Sequence, residues 1–311
     1  MNGIILFFAA AVLSGTPLLF ATLGEIIIEK VGNLNLGVEG LMLMGAVIGF
    51  SMGLSTKNPA LAVLAAGVAG AAGGLIYAFI TVTLRANQVV TGLTLTTFGT
   101  GFASLLGKKL VGQTAPEAIK TFFKPCPIPL LSKIPVVGPI FFSHDVFVYF
   151  GYLAAVAVGI YLYKTSKGLN LRAIGENPGC ADAASINISL YKYVHICIGS
   201  ALCGLGGAYL SLVYIPTWQD NVVAGRGWIA IALVIFAAWN PYKAIIGSYL
   251  FGGLGIIGFR LQNAKIAIPQ SIWDMLPYVV TIVILVIVSM KKSKKNSPPK
   301  GLGNAYFREE R

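Results

Sequence analysis

Between residues 25 and 39 the sequence gathers Glu25, Glu29, Lys30, Asn33, Asn35 and Glu39, laced with Gly32 and Gly37, and apolar runs lie on either side. Two kinds of chemistry suit such a cluster. Asparagines cap helix ends or satisfy backbone groups freed where a helix breaks. A carboxylate such as Glu39, just inside an apolar run, is costly unless it pairs or meets water. The cluster is therefore either a set of caps at an interface or part of a polar gate. Glu29 and Lys30 are neighbours in sequence and point to different sides of a helix, so they need not pair.

A second stretch, "GLNLRAIGENPGCADAASINIS" at 168–189, separates two apolar blocks with mostly small residues. Asn177 followed by Pro178 reads as a helix start, an N-cap side chain and then a proline whose missing N–H costs nothing. Gly179 to Ser185 then make about two turns. Ser189 is placed to cap the next long helix, which begins near Tyr191. The short helix presents Cys180, Ala181, Ala183 and Ala184 with the single charge Asp182, a surface small enough for close docking on another protein or on its own.

Further along, Thr91, Thr94, Thr96 and Thr97 in "VVTGLTLTTFGTG" offer hydroxyls to a polar solute, although such hydroxyls also bond their own backbone. Arg226 and Trp228 mark one membrane boundary, with Asp220 and Asn221 beside them, and Trp239 and Tyr242 suit an aromatic belt at the other. Cys126, Cys180, Cys197 and Cys203 have no metal-ligand spacing, and His144 and His195 lie far apart. No metal site or nucleophile–base arrangement follows from them, and no enzyme signature is present.

These residues must be held by membrane helices. Of 311 residues 56% are hydrophobic and 11% charged, and apolar runs of bilayer length recur along the whole chain. The expected fold is all-α and polytopic, with about nine spans near 3–23, 36–53, 60–83, 88–107, 145–163, 192–214, 227–240, 242–261 and 273–290. The seventh is short for a crossing, about 21 Å at helical rise, and reads as a broken or re-entrant helix. Residues 1–290 form one transmembrane domain, 165–191 one of its loops and 291–311 a basic tail.

The net charge of +12 is no nucleic-acid signal, because seven of the 23 Lys and Arg lie in that tail and suit an anchor beside anionic lipid headgroups. The tail's expected partner is lipid alone. Placing it on the cytoplasmic side puts the N-terminus outside. Lys30, Arg85, Lys164, Lys167, Arg172, Lys192 and Lys243 then also fall inside, as the positive-inside rule prefers. The apolar start of the chain lacks a positive leader and reads as a retained span. The proline-rich loop 108–143 reads as an irregular, partly interfacial cap on the outer side. Small-residue runs such as "GVAGAAGG" and "GSALCGLGGAYLS" let helix backbones approach closely in lipid.

Three motifs in order, "GNLNLGVEGLMLMGA", "LRAIGENPGCADAASINISLYK" and "GRGWIAIALVIFAAWNPYKAIIGSYLFG", resemble the membrane permease subunits of bacterial ABC importers, in the branch for branched-chain amino acids, simple sugars and nucleosides. The resemblance spans about residues 16–290 and is greatest to the shorter permease of nucleoside importers. It implies a fold like the cobalamin importer's without its first helix, in the bacterial inner membrane. It also implies a pathway shared with a second permease, a cytoplasmic ATPase that carries ATP and magnesium, an extracytoplasmic substrate-binding lipoprotein, and no cofactor or catalysis in this chain. Gly175, Glu176, Asn177, Pro178, Ala181, Asp182, Ala183 and Ala184 match the family's ATPase-coupling segment. Asn33, Asn35, Glu39, Thr91, Thr94 and Thr97 become candidates for the gate or pathway. The chain departs from the family in Ser185, where Gly is usual, and in Glu25, also usually Gly.

Nucleosides are the expected solute and a simple sugar such as ribose or galactose the alternative. An ion-coupled secondary transporter would carry a charge deep in a span, whereas the charges here fall mainly at span ends. A non-transporting scaffold would show no solute-dependent ATP hydrolysis in its complex.

Overall fold

Side-chain caps decide where six of the described helices begin. The computed structural model describes residues 3–261, 269–290 and 297–307. Its α-helices run in the order α1 (Gly3–Lys30), α2 (Val38–Thr56), α3 (Pro59–Ala78), α4 (Gln88–Gly107), α5 (Glu117–Phe122), α6 (Val137–Phe141), α7 (Val146–Lys164), α8 (Ser166–Glu176), α9 (Pro178–Ala183), α10 (Ile188–Tyr209), α11 (Arg226–Phe236), α12 (Pro241–Leu261) and α13 (Gln270–Met290). Asn58, Asn87, Asp145, Thr165, Asn177 and Asn187 each accept an amide of the first turn that follows them. Asn187, not Ser189, caps α10, because it stands immediately before the first helical residue, where its Oδ1 reaches the Leu190 amide at 3.0 Å. One wider π-helical turn extends α3 over Phe79–Thr83, and another extends α10 over Leu210–Tyr214.

Among the described residues, six helices are long and apolar enough to cross a membrane: α1, α2, α3 with its extension, α4, α7, and α10 with its extension. This is an all-helical, multi-pass membrane protein. The expected seventh span is the eleven-residue α11, which at helical rise is about 16 Å long and too short to cross. α12 and α13 stand where the eighth and ninth spans were expected.

α1, α2, α3 and α10 pack together at the centre, through glycines that let main chains touch. A Cβ on Gly24 would collide with the Gly199 carbonyl, and one on Gly45 with the Gly204 backbone. In lipid such close approach replaces the hydrophobic drive of water.

The 108–143 loop is more ordered than its prolines imply. It contains α5, a 3₁₀ turn at Leu131–Lys133, and α6. The Thr114–Thr217 bridge ties it to the chain after α10, as do Trp218 N–H to the Gln113 carbonyl at 2.9 Å and Ala115 N–H to the Pro216 carbonyl at 2.9 Å. At its end His144 and Asp145 are both buried. Desolvation lowers the His144 pKa and raises that of Asp145, so burial disfavours the charged form of each.

Candidate functional site

The cluster at 25–39 is a broken-helix junction inside the molecule. α1 continues to Lys30, so Glu25 and Glu29 lie on a helix rather than in a connecting loop. The extended link to α2 is buried and its freed backbone groups are met one by one. Gln88 Oε1 accepts the Leu34 amide at 2.7 Å, and the Tyr77 hydroxyl donates to the Leu34 carbonyl at 2.6 Å. The Thr96 hydroxyl donates to the Leu36 carbonyl at 2.9 Å.

Glu25, fully buried, takes both the backbone and side-chain N–H groups of Asn35, each at 3.2 Å. Asn35 Oδ1 in turn accepts the Gly37 amide at 2.9 Å, and Asn33 Nδ2 reaches the Thr81 hydroxyl at 3.4 Å. Glu25 therefore anchors the junction. Tyr77, Thr81 and Gln88 escaped the sequence reading. Their signal was modest: polar groups at a span's end, one helical turn apart or opening the next span.

Glu39 does not sit with Asn33 and Asn35. It reaches across to α11, whose start lacks a side-chain cap because Gly225 stands there with φ +81°. Glu39 accepts the Gly225 amide at 2.8 Å and the Gly227 amide at 2.7 Å, closing the exposed N–H end of α11 from another helix. Arg226 is partly buried, donating to the Val223 carbonyl at 3.0 Å and lying 6.0 Å from the Tyr214 ring centre. Trp239 is not part of an interfacial belt: it is buried, its indole N–H donates to Glu29, and Lys30 lies 6.0 Å from its ring centre.

The segment 175–185 divides into two faces. Glu176, Asn177, Cys180, Ala183 and Ala184 are exposed, while Gly175 and Ala181 face inward. Asn177 Oδ1 accepts the Cys180 amide at 3.1 Å, as its spacing predicts. Gly175 is a packing residue, since a Cβ there would run into the Lys30 carbonyl. The helix ends two residues earlier than expected, at Ala183, in a Schellman closure: Ser185 N–H bonds the Asp182 carbonyl at 2.9 Å and Ile186 N–H the Ala181 carbonyl at 3.1 Å. Ser185 takes φ +61° to do so.

The described part of the basic tail, 297–307, folds back onto this segment, contrary to the expectation of lipid alone. Gly301 N–H bonds the Gly175 carbonyl at 2.8 Å and the Tyr306 hydroxyl bonds Asp182 at 2.9 Å. Phe307 lies under the Arg85 guanidinium, 4.7 Å from ring centre to Cζ. The tail thus straps the ends of α1 and α8 to α9.

The threonines of α4 form a separate group. Thr91 is buried, Thr94 and Thr97 are exposed, and each hydroxyl donates to the carbonyl four residues earlier. Their lone pairs remain open as acceptors. Beside them lie two shallow grooves. One, of about 300 Å³, includes Tyr77, Thr91, Thr94 and Phe98, and the other, of about 480 Å³, includes Thr94, Thr97, Phe98 and Phe102. Phe98 and Phe102 stack at 6.1 Å. Among the described residues no three His, Cys, Asp or Glu side chains gather as a metal site.

A family model described as "Branched-chain amino acid transport system / permease component" matches residues 7–285. The chain belongs to that family. A Haloferax volcanii ABC transporter permease protein, provisionally named for glucose, is 35% identical over 96% of this chain and 97% of its own. A nucleoside ABC transporter permease protein of Lactococcus lactis is 33% identical, covering 92% of this chain and 93% of its own. A guanosine ABC transporter permease protein of Bacillus subtilis is 34% identical over 89% of each. In this permease the buried junction and the α11 cap hold the fold. α9 and α4 each also carry an exposed face.

Proposed function

We propose that this permease carries nucleosides into the cell as half of a pathway completed by a second permease. A cytoplasmic ATPase binds ATP with magnesium and drives the cycle, and an extracytoplasmic lipoprotein delivers the solute. The basic end of the molecule faces the cytoplasm, with the N-terminus outside and the chain in a bacterial inner membrane. The nine-span, cobalamin-importer-like arrangement is part of this reading, with α11 as a helix that does not cross. Closure of the ATPases would press on the exposed face of α9 and tilt α7 and α10, which flank that loop, so that access alternates between the two sides.

The observation that supports a nucleoside is the α4 face. Stacked Phe98 and Phe102 offer flat surfaces for a base, and the Thr94 and Thr97 oxygens beside them offer acceptors for ribose hydroxyls. The similarity to nucleoside and guanosine permeases points the same way. A sugar remains the second reading, favoured by the 35% identity to the protein provisionally named for glucose.

The test is uptake of labelled guanosine by cells carrying the whole importer. Unlabelled nucleosides are expected to compete, and ribose, galactose and glucose are not. Phe98→Ala is expected to weaken uptake about tenfold, the loss of one good stacking contact. Competition by hexoses alone would overturn the nucleoside assignment. Uptake that survives an inactive ATPase but fails with a proton ionophore would overturn the ATP-driven one.

A further inference from the structure

A cavity of about 530 Å³ opens where the π-helical end of α3, the exit of α9, the start of α10 and the C-terminal strap meet. It belongs neither to the α4 grooves nor to the exposed face of α9. Arg85, in the turn after the π-helical end of α3, and Lys192, on α10, both line it, Ser185 and Ser189 add hydroxyls, and Asp182 and Tyr306 close one side. The twenty-two-residue α10 directs its N-terminus here, and Asn187 caps only its Leu190 amide.

Lys192 makes the cavity more than a crevice. Its side chain is only 6% exposed, yet it lines the opening. Among the described residues no carboxylate, carbonyl or hydroxyl lies within hydrogen-bond or ion-pair distance of its ammonium. A buried ammonium with no partner is costly, and an anion entering the cavity would offset that cost. Asp182 does not, since the ammonium lies beyond ion-pair distance of it, and the Tyr306 hydroxyl bonds its carboxylate.

We propose that this cavity is a binding site for a phosphate group. Two cations from separate segments, a helix N-terminus and flanking hydroxyls suit a multiply charged oxyanion better than a single carboxylate. The guanidinium of Arg85, seated on Phe307, supplies a planar fork, and Lys192 supplies a point charge in the same cavity. The volume admits a phosphate ester as well as the free anion. Occupancy would bridge α3 to α10 beside the exit of α9. The proposal concerns that junction and is independent of the transported solute.

The test uses the full chain purified in dodecyl maltoside, titrated with inorganic phosphate against sodium chloride of matched ionic strength. Thermal unfolding is followed throughout. Phosphate is expected to raise the midpoint saturably. The apparent affinity should fall about tenfold in Arg85→Gln, where an exposed side chain is changed. In Lys192→Met the response should vanish while the phosphate-free midpoint is no lower than the parent's. A parallel arm compares nanodiscs of phosphatidylcholine with and without phosphatidic acid. A rise from phosphatidic acid to which phosphate adds nothing identifies a lipid headgroup as the source, and a rise from phosphate alone identifies a soluble one. No rise in either arm, or an equal rise in both variants, overturns the site.

Discussion

Ser185 turns the loop after α9 with φ +61°, a left-handed backbone that a glycine adopts without a Cβ clash. The turn is needed because the Asp182 and Ala181 carbonyls at the helix end are satisfied by the Ser185 and Ile186 amides. Serine holds this geometry at a cost, and glycine would remove the cost while adding freedom to the unfolded chain. Ser185→Gly is therefore expected to stabilise the protein by about 0.5–1 kcal/mol. Thermal unfolding of the purified chain measures it, and slower hydrogen exchange at the Ile186 amide locates it. A lower midpoint would show that the serine hydroxyl contributes more than the backbone strain removes. From the sequence this position stood out only through the resemblance, and its dihedral angle depends on where the helix stops. Glu39 was legible only as a carboxylate in need of a partner, because its partners are amides almost two hundred residues away.

At the scale of elements, α9 has a face that looks out and a face that is spoken for. Ala184 is exposed, whereas Ala181 is 3% exposed and packs inward. Ala184→Trp is accordingly expected to leave thermal stability within about 0.5 kcal/mol of the parent and to depress solute-stimulated ATP hydrolysis in the assembled importer. Ala181→Trp instead overfills the packing and is expected to cost about 1–3 kcal/mol whether or not an ATPase is present. Normal ATP hydrolysis in Ala184→Trp would remove α9 from the coupling path. The helix itself was readable from Asn177 and Pro178, since capping is a local interaction. The strap across it was not. The tail's charges suggest lipid, and its docking depends on main-chain contacts such as Gly301 to Gly175, which leave no mark in residue type beyond the glycines themselves.

Across the whole molecule, the outward faces of α7 and α4 differ in character. On α7 that face is Phe150, Leu153, Val156 and Ile160, all apolar and suited to lipid. On α4, Thr94, Thr97, Gly101 and Ser104 fall on one exposed stripe shared with Val90 and Leu105, with Phe98 alongside. Small and hydroxyl-bearing stripes gain little from lipid tails and favour another helix or a polar passage. If α4 faces the pathway between two permeases, a cysteine at Thr97 lies beside water and one at Leu153 does not. Because Cys126 and Cys180 are free and exposed, both are first changed to serine. In the assembled importer Thr97→Cys should then react with a charged methanethiosulfonate and be slowed by guanosine, while Leu153→Cys stays inert. Equal inertness at both positions would place α4 in the bilayer and leave its hydroxyls to their own backbone. Reaction at Thr97→Cys without protection by guanosine would keep the pathway but move the solute's contacts elsewhere.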